Sequence, residues 1–388
     1  MEGISVGSEN RGDCRITIAP SESLQIEIQS KNPLLLEAGI REVVERTTAE
    51  LGVAEARIVL TEQGALDYAL ASRVETALRM AFPKDVSPIQ PPVVTRSPTE
   101  RDRPRRSRLY APGNNPRLLV GIELHGADCV LLDLEDSVPL GEKDAARILV
   151  KHLLAAVDIS EAWVRVNPLA SCGKEDLEEI LRGRPHGICL PKTESAEDVQ
   201  SLASELTRLE RAYKHEHGTT WIMPIVETAA GVLHAEEIAT ADPRVVVLAF
   251  GAEDFTRDID AKRSWGSLLF ARSKLVAAAK AAGVQVSDTV YSDLEDEEGL
   301  IAEAKAVRDL GFDGKGAINP RQIPPLNAVF SPSDAEIEEA RRIVEAAEAA
   351  EANGLGAVAV DGKMVDRPVL ERARRTLKYA EALTKEKS

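Results

Sequence analysis

Four cysteines in 388 residues, Cys14, Cys129, Cys172 and Cys189, lie far apart with no C-x-x-C pair. That scarcity excludes a disulfide framework and a zinc ribbon, and the thiols read as small apolar residues. No apolar run approaches the roughly 18 residues of a membrane span. The polar start MEGISVGSENRGD also lacks a basic-then-apolar secretion signal, so a cytoplasmic protein without membrane contact is expected. Basic residues are in deficit, 48 against 64 acidic, for a net charge of −16. Such a surface repels phosphate backbones and argues against nucleic acid as a partner. What is present is ordinary globular material, 44% apolar and 29% charged, in a chain long enough for two or three domains.

A composition break near Pro83 to Arg106, rich in proline and charge, divides the chain. It predicts a small domain over 1–85 and an extended linker over 86–105 that joins two units without fixing their angle. Before the break, RITIAP and LQIEIQ alternate with period two and predict a hairpin. A helix over 33–51, a strand over 57–61 and a helix over 65–80 then complete a ββαβα, α+β unit. Its carboxylates fall at polar positions of surface elements, and it has no histidine.

After the break, short apolar runs alternate with helical stretches. The runs begin at Leu109, Cys129, Trp163, Gly187, Trp221, Val245, Val284 and Lys315. Eight strands without polar alternation, each but the last followed by a helix, predict an α/β (β/α)8 TIM barrel over 106–330. A C-terminal helical extension over 331–388 follows. Barrel enzymes place their chemistry where strands end, and here the ends carry Asp133-Leu134-Glu135-Asp136, Arg165, Lys192, Glu227, Glu253-Asp254 and Asp288. Carboxylates gathered without histidine or thiolate select a hard cation, Mg2+ or Mn2+, which keeps coordination positions for substrate oxygens.

The motifs RSRLYAPGNNPRLL, GADCVLLDLEDSVPLGEKDAAR, VRVNPL, LPKTES, IVETAAGV, FGAEDFTRD, DTVYSD, INPRQI and GKMVDRPVLERA resemble the citrate lyase β subunit. The likeness runs from about Arg106 to the end. The 1–85 region, through GDCRITIAP and QGALDYALASRVETAL, resembles the citrate lyase γ subunit, an acyl carrier protein. Where the carrier family has the serine that bears a phosphoribosyl-dephospho-CoA arm, this chain has Arg11. An arginine offers no hydroxyl to esterify.

The resemblance implies a Mg2+-dependent lyase that cleaves a citryl thioester to oxaloacetate and an acetyl thioester. A CoA-thioester lyase acting on malyl-CoA or citramalyl-CoA, with the N-terminal domain an unloaded docking module, is the alternative. It further implies that Glu227 and Asp254 hold the metal, that Glu227, Glu253, Arg165 and Arg106 meet the substrate, and that Glu135 and Asp136 orient Arg165. Asp366 would protonate the enolate carbon from a neighbouring subunit of a homotrimer. A citrate lyase α-subunit-like transferase is the implied protein partner.

Overall fold

The computed structural model describes residues 3–94, 99–159, 161–352, 358–360 and 363–385. The first unit comprises β1 (Ile4–Gly7), β2 (Cys14–Ala19), β3 (Gln25–Gln29), α1 (Pro33–Glu50), β4 (Arg57–Glu62) and α2 (Asp67–Ala81). The expected hairpin does not form. The sheet order is β1-β2-β4-β3, with β2 antiparallel and β3 parallel to β4. Period-two alternation reports that a segment is half-buried, not which strand it pairs with. β1 pairs antiparallel with β2, an edge strand too short to stand out in the sequence. Ile16, Ile18, Ile58 and Leu60 from the sheet meet Val43, Val44, Val74 and Leu78 from the helices in one core. The apolar stripe of α1 enters that core only from Ile40 onward, because Leu34 and Leu35 are exposed.

The second unit is the barrel. Its first half runs β5 (Ser107–Pro112), α3 (Pro116–Leu119), β6 (Cys129–Asp133), α4 (Lys143–Ala156), β7 (Ala162–Arg165), α5 (Gly173–Ile180), β8 (Gly187–Leu190) and α6 (Ala196–Ala212). Then come β9 (Trp221–Val226), α7 (Ala229–Leu233), α8 (Ala235–Thr240), β10 (Val247–Phe250) and α9 (Ala252–Asp258). The last part is α10 (Trp265–Ala282), β11 (Gln285–Asp288), α11 (Glu297–Leu310), β12 (Gly314–Ala317) and α12 (Ile323–Phe330). β5 through β12 close as parallel neighbours, β12 pairing with β5, so all eight expected strands are present. Alternate residues point inward, where Cys129, Leu131, Trp163, Cys189, Met223 and Ala249 pack together. The intervening residues, such as Val130, Val164 and Leu248, meet the helices.

The linker does not leave the two units free to swing. Ile89 is buried in the N-terminal core, Val94 N–H bonds to Ala155 C=O on α4, and Arg105 forms a buried ion pair with Glu161. Residues 95–98 lie outside the described residues. Nor do the carboxylates of the first unit all face solvent, for Glu75 on α2 is fully buried against the barrel. It accepts from Lys151 Nζ and His152 Nε2 on α4, both at 2.6 Å. Lys151 also reaches Glu179 at 2.5 Å, and Arg79 joins Glu179 at 2.8 Å. A satisfied charge network of this kind defines one docked geometry, whereas apolar contacts would tolerate sliding.

The extension is a helical hairpin, α13 (Asp334–Ala352) and α14 (Arg367–Lys385), with β13 (Val358–Val360) and β14 (Lys363–Val365) between them. Leu377 and Ala380 of α14 return to the foot of α13 beside Arg106.

Candidate active site

The C-terminal mouth of the barrel is organised by Asp133, the last residue of β6. Its carboxylate accepts from Arg165 Nε at 2.6 Å and from Nη2 at 2.8 Å, a two-point match of fork and carboxylate. Ser137 Oγ adds a bond. Burial alone would raise the Asp133 pKa, but the Arg165 bonds and charge outweigh it and hold it low. Arg165 Nη1 reaches Glu135 at 3.1 Å, and its guanidinium lies 5.8 Å from the Tyr110 ring centroid. The Glu135 loop is itself tied down. Lys143 Nζ donates to the carbonyls of Leu134 and Glu135, both at 2.6 Å, and Asn167 Nδ2 donates to Leu134 C=O at 2.9 Å.

Lys192, just past β8, links this cluster to Glu227. Its ammonium bonds to Glu135 while its backbone N–H donates to Glu227 Oε1 at 2.7 Å. Lys192 adopts φ of +50°, a left-handed conformation costly for a residue with a Cβ and one that gathers at functional sites. Glu227 is 2% exposed. Burial first, and then the neighbouring Asp254 charge, push its carboxyl up to about 8, although the Lys192 N–H pulls the other way. Gly251 is obligatory here, since an added Cβ would collide with Glu227 Oε2.

Glu227, buried, and Asp254, half-buried, are therefore two carboxylates that repel one another, with Arg257 pairing with Asp254 at 2.6 Å. Among the described residues, no three His, Cys, Asp or Glu side chains come together as a metal cage. A pair is what Mg2+ ordinarily takes from a protein, the remaining positions going to water and substrate. The donor set fits that ion.

The structure thus brings together Glu135, Asp136, Arg165, Glu227 and Asp254. It does not bring Arg106, Glu253 or Asp366 to them. Arg106 stands at the opposite end of the barrel, where Asp128 binds it at 2.6 Å and Ser331 at 2.9 Å. Glu253 turns outward to an ion pair with Arg263. Asp366 is exposed and caps α14, its carboxylate accepting from Val369 N–H at 3.2 Å. Sequence reasoning passed over Asp133 and Lys192 as individual site residues. Both sit at strand ends among polar neighbours, which was the available signal, but the pairing that makes them functional needs three dimensions.

Comparison with known proteins gives the family. Residues 106–320 match the HpcH/HpaI aldolase/citrate lyase family, more than half of the chain. The chain belongs to that family. Citrate lyase subunit beta of Escherichia coli K12 is 46% identical over 287 residues, covering 72% of this chain and 95% of that protein. Human mitochondrial citramalyl-CoA lyase is 37% identical, covering 72% and 86%. The protein CitE of Mycobacterium tuberculosis, solved in complex with magnesium, acetoacetate and coenzyme A, superposes with a TM-score of 0.59 at 32% identity, over 73% of this chain and all of that one. Residues 2–81 match the acyl carrier-type model of the malonate decarboxylase delta subunit (MdcD), in keeping with a carrier-like N-terminal domain. Among the described residues, no helix is long and apolar enough to cross a membrane.

Proposed function

We propose that this family member cleaves a citryl thioester to oxaloacetate and an acetyl thioester. The observation that carries the reading is the clamp of Asp133 and Glu135 on Arg165, set beside buried Glu227 and half-buried Asp254. Those two carboxylates would hold Mg2+ or Mn2+, which when bound supplies Lewis-acid polarisation of the substrate oxygens. Arg165, with Asp133 and Glu135 fixing its direction, presents its remaining donor edge to a substrate carboxylate or the thioester oxygen. Asp136 and Lys192 hold Glu135 in place. Burial and the Asp136 charge raise the Glu135 pKa despite the opposing Arg165 and Lys192 charges, so Glu135 is suited to take the hydroxyl proton as the carbon bond breaks. Asp366 of a neighbouring copy then returns a proton to the enolate carbon, because its own barrel lies at the wrong end of α14.

Similarity to the E. coli subunit beta at 46% supports citryl as the acyl group. The citramalyl-CoA lyase likeness supports a second reading in which a smaller 3-hydroxyacyl-CoA enters the same site. In either case Arg11 leaves the N-terminal domain without the phosphoribosyl-dephospho-CoA arm, as a docking module, and an α-subunit-like transferase is the partner of the citryl reading. A coupled assay of the full chain with Mg2+ and citryl-CoA, citramalyl-CoA or malyl-CoA decides among them. Release of oxaloacetate from citryl-CoA is expected, and pyruvate or glyoxylate release without it would replace the first reading by the second.

A further inference from the structure

Between the N-terminal domain and the mouth of the barrel lies a cavity of about 480 Å³, within the range of small-molecule sites. One wall is the turn from Ser8 to Asp13. The other is the loop leaving the first barrel strand, Asn114 to Arg117, with Glu142 and Asp144 at the rim. The two walls are in contact, since an added Cβ on Gly12 would lie 3.4 Å from the Arg117 Cα. The cavity also adjoins the reaction site. Gly113 N–H bonds to the Asp133 carbonyl at 2.8 Å, so its barrel wall begins one residue from the strand end that carries the Arg165 clamp.

The charges in this cavity are unevenly satisfied. Asp13 is held by Arg73 at 2.9 Å, Asp144 by Arg147 at 2.9 Å, and Glu142 accepts from Asn114. Arg11 and Arg117, both exposed, form no ion pair among the described residues. Glu142 has only a neutral amide as partner, but its single charge stands against two guanidinium groups without an ion pair, so the balance favours an anion, and a guanidinium fork suits a phosphate. On the proposed reading the carboxylates of the acyl group are met by Arg165 and by the metal that Glu227 and Asp254 would hold. What remains is an anion carried far from the thioester.

We propose that this interdomain cavity binds the phosphate-bearing nucleotide end of a free thioester handle, and that Arg11 of the N-terminal domain is one of the cations that hold it. The proposal rests on the reading of the chain as a thioester lyase and gives the N-terminal domain a binding task in the same active site. Titration calorimetry of the full chain with CoA, and with pantetheine as the phosphate-free probe, tests it. Arg11→Glu should weaken CoA binding at least tenfold, Arg11→Lys by less than threefold, and neither should change pantetheine binding. Equal CoA affinity of Arg11→Glu and the unchanged chain, parallel losses for CoA and pantetheine, or no CoA binding at all would overturn it. An Arg11-dependent CoA affinity in a chain that cleaves none of the three thioesters would instead uphold the cavity and remove the proposed reaction.

Discussion

At Glu227 three constraints converge on one side chain: burial, a backbone N–H from a left-handed lysine, and the charge of Asp254. A neutral amide keeps the shape but cannot ligate as an anion. Glu227→Gln should therefore lower Mg2+-dependent kcat at least 10³-fold, a loss of about 4 kcal/mol of barrier lowering, with an unchanged circular dichroism spectrum. Gly251→Ala should be nearly as damaging, because the methyl group displaces Glu227 without touching substrate. Crystallography of that variant should show a rotated Glu227 carboxylate. Glu253, two residues away, makes the control. Its ion pair with Arg263 faces outward, so Glu253→Ala should keep kcat/KM within about twofold, as expected for an exposed ion pair, and a larger loss would return it to the site. Strand-end position makes Glu227 and Asp254 candidates in the sequence, their metal role coming from the family resemblance, and the same criterion also admits Glu253. Adjacent residues at the start of a helix point in different directions, and only the backbone decides which enters the mouth.

Among the elements, the barrel strands were the most legible, because a strand buried on both faces leaves an uninterrupted apolar run such as CVLLD or GICL. The N-terminal sheet was less so. Its strands alternate correctly, but pairing β3 with β4 depends on the connection through α1, which periodicity does not encode. The role of α2 was the least legible. Glu75 looks like a solvated helix residue in sequence, and its partners Lys151 and His152 lie more than 70 positions away on α4. Here burial would raise the Glu75 pKa, but the His152 bond and the Lys151 charge dominate and lower it to about 2. A carboxylate lowered in the folded state contributes stability above its unfolded value near 4.5, on the order of 3 kcal/mol, and this is lost as pH falls from there through 2. Burial keeps the His152 pKa below its ordinary value as well, so the unfolded chain gains that proton first and stability begins to fall below about pH 6.5. Thermal melts at pH 7.5, 5.5 and 4 should show a progressive loss. Glu75→Ala, which leaves buried Lys151 to Glu179 alone and takes away the carboxylate that His152 bonds, should lower the melting midpoint by about 5 °C or more at pH 7.5.

For the whole molecule the test is of the proposal that Asp366 of one copy acts beside Arg165 of another. Asp366 stands at the start of a helix whose far end lies beside Arg106, at the foot of the barrel. Mixing Asp366→Ala and Arg165→Ala chains under conditions of verified subunit exchange should restore a fraction of activity, since some mixed sites receive both intact groups. No recovery would assign Asp366 to its own chain or remove it from the reaction. The hairpin that carries it is an arm about 28 Å long along its 19-residue second helix. An arm that serves the next barrel while the chain's own mouth is served by a third copy makes a directional contact, and directional contacts repeat until rotation brings the last copy back to the first. Closure then depends on the angle at which the arm leaves Pro332 and Asp334. In a proposed ring of that kind, a change in this angle would leave each arm able to reach one neighbour, yet it would give an open filament with one unserved mouth at its end.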